Sequence, residues 1–197
     1  MNRMITYRRY RLFARQTDQA LPAATVMLPI TIDLLKETDL DDYVQFNTYP
    51  KPLEILNRLQ AGHLCFVVRY EKQIVHACWA VTNNKIAYAI LDPLHRKVME
   101  HLARDEVYVY DSFTAPNFRG KGISPARALQ MVGYFREAGC KRMIAIVKPE
   151  NKSSIRAMEK AGYHPTRSMM HLLNVSRFAI AIWSDAENST EGQLRTR

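Results

Sequence analysis

The sequence has little cysteine: only Cys65, Cys78 and Cys140 in 197 residues. They are odd in number, far apart and form no CxxC pair, so no disulfide framework is indicated. A reduced, cytoplasmic setting is the simpler expectation. The six histidines are scattered, with no HxxxH or HExxH pair, so no metal site is expected. Long apolar runs are also missing. The most apolar late stretch, residues 172–183, is broken by Asn174, Ser176 and Arg177. It is too short and too polar to span a bilayer. The first residues carry Arg3, Arg8, Arg9, Arg11 and Arg15 without an apolar core, which argues against a secretory signal. No internal repeat is seen. The GxxxxGK[ST] spacing of a Walker loop is absent, and so is a GxGxxG opening an early βαβ unit.

What is present is a globular composition, 47% hydrophobic, with 28 basic against 19 acidic residues and a net charge of +9. The length suits one domain, taken as residues 1–184, with 185–197 read as a loose polar tail. The positive balance favours anionic partners: nucleic acid, a membrane face or a phosphate-bearing small molecule. Tyr7, Arg8, Arg9, Tyr10 and Arg11 form a basic stripe with interleaved aromatics. On a strand its charge is split between two faces, so a solvated sheet edge is the plainer reading.

Hydrophobic period assigns the elements. Residues 4–14 read as a strand. Residues 32–46 read as one or two helical turns, and 52–59 as a helix with Leu53, Leu56 and Leu59 on one face. Residues 63–70 and 74–81 make a hairpin about Glu71, Lys72 and Gln73. Residues 86–91 read as a short strand and 94–103 as helical. Strand 107–114, helix 125–138, strand 142–147, helix 151–161 and strands 168–175 and 178–183 complete the chain. The pattern predicts a mixed α/β fold around one central sheet.

Residues 107–128 hold the most informative stretch. A strand runs into a basic loop, Arg119, Gly120, Lys121, Gly122, Ile123 and Ser124, and Pro125 suits the start of a helix. Small residues at 120, 122 and 124 let backbone amides approach a ligand. A helix N-terminus beyond them favours phosphate. Asp111 is the one acid within an otherwise apolar strand. Tyr108 and Tyr110 alternate with it, as core or as cleft wall.

This segment resembles the GNAT superfamily of acyl-CoA-dependent N-acetyltransferases, whose signature is Gln or Arg, two variable residues, Gly, one variable residue, then Gly or Ala. Arg119, Gly122 and Ser124 stand at the three defining positions, Ser124 departing from the preferred Gly or Ala. Thr114 to Phe118 is similar to the family's approach to that loop. Asn151, followed by a helix ending in Gly162 and Tyr163, is similar to its other characteristic segment. The resemblance implies an α/β fold of the α+β type, a mixed and mostly antiparallel central sheet flanked by helices. It implies acetyl-CoA as cosubstrate, with its pyrophosphate on the amides of Gly120, Lys121, Gly122, Ile123 and Ser124 and added charge from Arg119 or Lys121. The backbone edge at Phe113 and Thr114 would pair with the pantetheine arm, and Asn151 would hydrogen-bond it, besides serving as a helix cap. Met158 stands where many relatives place a tyrosine that protonates the departing thiolate, and methionine has no such proton. Tyr163 is nearer a packed aromatic. Asp111 is then the candidate base, or the anchor of the substrate ammonium.

The expected activity is transfer of an acetyl group from CoA to a primary amine by direct attack. The acceptor would be a small molecule or peptide, with the net charge leaning toward an acidic one. A CoA-binding module without turnover is the alternative, and a basic nucleic-acid-binding protein a more distant one. The sequence does not set the oligomeric state; a homodimer is compatible with it.

Overall fold

The computed structural model describes residues 5–20, 22–175 and 178–185. The tail beyond 185 lies outside the described residues. Eight strands form one sheet: β1 (Ile5–Gln16), β2 (Ile30–Leu34), β3 (Leu64–Tyr70), β4 (Gln73–Thr82), β5 (Glu106–Thr114), β6 (Arg142–Val147), β7 (His164–Val175) and β8 (Phe178–Asp185). Their spatial order is β2-β3-β4-β5-β6-β1-β7-β8. Every neighbouring pair is antiparallel except β5 and β6, which run parallel. β1 lies between β6 and β7, so its basic residues stand on an interior strand, not on the expected sheet edge.

Helices cover both faces. On one side lie α1 (Leu40–Phe46), α2 (Pro52–Gln60), α3 (Lys85–Ile90) and α4 (Pro93–Met99). They pack Tyr43, Ile55, Ala87 and Val98 against Trp79, Tyr108 and Tyr110 of the sheet. On the other side α5 (Ile123–Glu137) and α6 (Lys152–Lys160) bring Ala128, Met131, Val132 and Met158 against Val107, Val109 and Met143. The alternation along β5 thus splits its side chains: Tyr108 and Tyr110 face one core, Val107 and Val109 the other.

Three local expectations are corrected. Residues 30–34 form β2, an edge strand whose burial alternates residue by residue, before the helical turns begin. Residues 85–90 form α3, not a strand; Asn84 Oδ1 accepts from Ile86 N at 2.9 Å and starts a helix there. In α2 the inner face carries Ile55 and Arg58, while Leu53 is 70% exposed. The β3–β4 hairpin turns on Glu71 and Lys72, both at positive φ (49° and 70°). That is the handedness a tight hairpin turn requires, reached here without glycine.

Candidate acyl-donor cleft and its acid-lined wall

The parallel pairing of β5 with β6 is brief. Register runs only from Glu106↔Arg142 to Tyr108↔Ile144, whereas β5 stays paired with β4 on its other side as far as Thr114↔His76. Beyond Tyr108 the strands part, while β6 keeps its antiparallel pairing with β1 on its other edge as far as Val147. The last residues of β5 therefore present an edge with no ladder partner among the described residues, able to pair with an extended ligand.

A bulge sharpens that edge. Ala77 opposes Phe113 and Trp79 opposes Tyr110, so two residues of β5, Asp111 and Ser112, stand against Cys78 alone. Asp111 takes φ 44°, a left-handed conformation uncommon outside glycine. The extra residue re-aims the side chains at the cleft. Asp111 turns to the α2 and α4 side and Ser112 to the α5 side, as their partners show.

The glycine loop follows directly. A short 3-10 turn at Pro116–Phe118 leads into Gly120 and Gly122, both at positive φ (77° and 80°). Gly122 is the N-cap of α5, so the helix starts at Ile123, two residues before the expected Pro125. A Cβ on Gly122 would lie 2.0 Å from Thr25 O, and Met27 N donates to Lys121 O at 3.3 Å. Glycine is required because the chain at residues 25–27 passes directly over the loop. Arg119 bends back, its Nε donating to Thr114 O at 3.1 Å and its guanidinium lying over the Phe113 ring. Lys121 Nζ lies over Phe118. Asn151 caps α6: its Oδ1 accepts from Ser154 N at 3.1 Å. Tyr163 is buried with its hydroxyl toward Met143 Sδ, the packed position expected of it. Met158 packs, partly buried, into the α5–α6 core.

Asp111 sits in a polar network that the sequence did not reveal. Arg58 Nη1 donates to Asp111 Oδ2 at 2.7 Å and Arg58 Nη2 to Glu54 Oε1 at 2.8 Å. The guanidinium is buried and lies 5.2 Å from both the Trp79 and the Tyr110 ring centroids. His95 Nε2 stands 3.5 Å from Asp111 Oδ1, and its Nδ1 is 2.7 Å from the Tyr108 hydroxyl. Burial pushes the Asp111 carboxyl up, but His95 and Arg58 outweigh it and hold the group below the usual carboxylate range. His63 Nδ1 lies 2.5 Å from the Tyr110 hydroxyl. Burial takes the His63 imidazole down to about 4, so it is neutral near pH 7. The carboxylate borders a cavity of about 240 Å³ walled by Tyr43, Asn47, Tyr49, Ser112 and Phe113.

Two further histidines lie outside this network. His76 is buried between Thr114 and Arg127, and His171 bonds Ser184 and Tyr7. Among the described residues no group of His, Cys, Asp or Glu could hold a metal ion. All three cysteines are free. Among the described residues no helix is long and apolar enough to cross a membrane.

Comparison with known proteins agrees with this geometry. The family model described as "Acetyltransferase (GNAT) family" matches residues 32–163. No curated protein matches the chain by sequence. Among solved structures, it is similar to a putative GNAT-family acetyltransferase from Novosphingobium aromaticivorans: 16% identity, TM-score 0.57, covering 86% of this chain and 66% of that one. A GNAT-family acetyltransferase from Colwellia psychrerythraea gives 14%, 0.57, 85% and 55%. The aminoglycoside N-acetyltransferase AAC(6')-Iy, solved with CoA, gives 16%, 0.53, 68% and 91%. At these identities the likeness concerns the fold. The chain spans less than two thirds of the length of the first two.

Proposed function

The chain belongs to the GNAT acetyltransferase family, and from that premise we propose that it transfers an acetyl group from acetyl-CoA to a primary amine by direct attack on the thioester. One observation carries the reading: the parting of β5 from β6 after Tyr108, immediately before a two-glycine loop that caps α5. The pyrophosphate would sit on the amides of residues 120–124 at the positive end of a helix of 15 residues. Arg119 and Lys121 would add charge at the rim. The pantetheine arm would pair with the free edge at Phe113 and Thr114. Asn151, whose side-chain oxygen is engaged in the cap, would offer its NH2 group.

Asp111 would act as the anchor of the acceptor ammonium in the cavity beside it. A carboxylate held ionised by Arg58 and His95 is a weak base but a good counter-ion. The aromatic walls, Tyr43, Tyr49 and Phe113, suit the same cation. The acceptor is an amine-bearing small molecule or peptide. A cytoplasmic setting suits the three free thiols.

The experiment is thiol release from acetyl-CoA across a panel of amines, including aminoglycosides because a protein of similar fold is named for them. Acetyl-CoA should raise the melting temperature, and at least one amine should release thiol. A chain that acetyl-CoA neither binds nor protects would refute the proposal. The Met158 thioether, unable to give a proton to sulfur, favours a second reading, binding of CoA without turnover. Protection without thiol release for any amine would select it.

A further inference from the structure

Arg127, on the α5 side of the sheet, is 4% exposed, and no carboxylate is paired with it among the described residues. A buried cation without a counter-ion is costly unless its donors are all used. Four of the five N–H groups are used, on neutral groups. Nε donates to His76 Nε2 at 3.0 Å, Nη1 contacts Met131 Sδ at 3.0 Å, and Nη2 donates to Ser112 Oγ at 3.1 Å and to Ser124 Oγ at 3.4 Å.

Because arginine only donates, these bonds fix where the protons of its partners lie. His76 Nε2 must be the acceptor, so the ring proton is on Nδ1. Burial and the Arg127 charge both push this imidazole well below its ordinary range, which keeps it neutral and in that form. Nδ1 then donates to Thr114 Oγ1 at 2.7 Å. Both Thr114 and Ser112 accept from this network, and each has its own O–H left to give. They stand two apart at the end of β5, on the face toward α5, where the strand has left β6. Ser112 is exposed and also walls the cavity that holds Asp111. The sulfur of Cys78 interacts with the same hydroxyl, but a buried neutral thiol is a weak acceptor and a charged ligand would displace it.

We infer that Arg127 is a positioning residue that turns the Ser112 hydroxyl into a donor aimed at the sulfur of bound CoA. This rests on the cleft between β5 and β6 being the acyl-CoA site. In the transfer, the amine nitrogen bonds to the thioester carbon, the C–S bond breaks, and its electron pair leaves with sulfur. The ammonium gives up one proton to become the attacking amine and a second as the amide forms, both passing to solvent or a carboxylate. Ser112 stays a hydroxyl: it lends a hydrogen bond to the thiolate, and the cation behind it strengthens that bond without touching the ligand. A positive charge and a hydroxyl on one side of the sulfur do what a proton donor would do, with no group that must be reprotonated each cycle.

The test is made on the binary complex with free CoA. Binding is measured by calorimetry, and the thiol is titrated by thiolate absorbance in the wild type, Ser112→Ala, Arg127→Met and Arg127→Lys. A free thiol titrates near ~8.5. In the wild-type complex it should titrate about one pH unit lower, in Ser112→Ala and Arg127→Met it should return to the free value, and Arg127→Lys should recover part of the shift. Ser112 is exposed, so its variant reports even if Arg127→Met folds poorly. With an accepted amine, Ser112→Ala should lower kcat on the order of ten-fold and leave KM for acetyl-CoA within about two-fold. CoA that binds with an unshifted thiol, or with the same shift in Ser112→Ala, overturns this inference and leaves the proposed function standing. A wild type that does not bind CoA overturns both.

Discussion

Replacing Gly122 with alanine probes the seating of residues 25–27 on the glycine loop. Two costs add. At φ 80° an alanine pays ~1–2 kcal/mol for the left-handed conformation. Its Cβ would also stand 2.0 Å from Thr25 O and 3.1 Å from Thr25 C, both backbone atoms that must move together. Overpacking of that kind costs about 1–3 kcal/mol. The sum, roughly 2–5 kcal/mol, corresponds to a fall in melting temperature of about 4–20 °C for a domain of this size. Gly120 is the internal control. Its φ is 77°, yet nothing lies within 4 Å of the Cβ it would gain. Gly120→Ala should therefore pay the backbone cost alone, roughly 2–8 °C. Melting both variants beside the wild type by circular dichroism isolates the contact. Equal shifts would refute the reasoning, since they would mean that the 25–27 segment does not rest on the loop in solution.

Two further outcomes follow from particular residues. His63, neutral in the fold with its imidazole lowered to about 4, is protonated in the unfolded chain from ~6.5 downward. Unfolding therefore takes up a proton between those limits, and stability falls as pH drops from about 6.5 to 4, by roughly 3 kcal/mol in all. Chemical denaturation at stepped pH should show this slope, and His63→Gln should flatten part of it; an unchanged slope would contradict the buried neutral state. In the β3–β4 turn, Glu71→Asn with Lys72→Gly should raise stability by about 1 kcal/mol, because Asn-Gly takes the two positive φ values without strain. A lower melting temperature for that double variant would show that Glu71 and Lys72 make contacts of their own.

Much of the donor side was legible because its signals are local. The strand to Thr114, the Gly120 and Gly122 turns and the Asn151 cap each declare themselves within a few residues, and helix and strand there differ in period. The acceptor side was not. Arg58 and Asp111 meet across the sheet, and nothing near either residue in sequence predicts the pairing. The clue available was that Arg58 is three residues beyond Ile55, on the face that α2 buries, but three leucines, of which Leu53 is exposed and Leu59 only partly buried, drew the assignment away from it. Residues 85–90 illustrate another limit. A short run of Ile, Ala and Tyr fits strand or helix equally, and a single cap at Asn84 decided the matter. The bulge at Asp111 was not read either: aspartate tolerates a left-handed conformation, but in a strand it does not mark one as glycine would.

The interior place of β1 also has a consequence for how the molecule comes into being. Its two partners, β6 and β7, lie in the last third of the chain, so β1 precedes the other strands in sequence and waits for late partners. Until β6 has left the ribosome both of its edges are bare, and one stays bare until β7 follows, so the sheet cannot be completed from the ribosome-distal end inward. Closure is thus a late, long-range event, slow by the measure of contact order. A nascent chain stalled before β6 would hold an unpaired strand open to other chains.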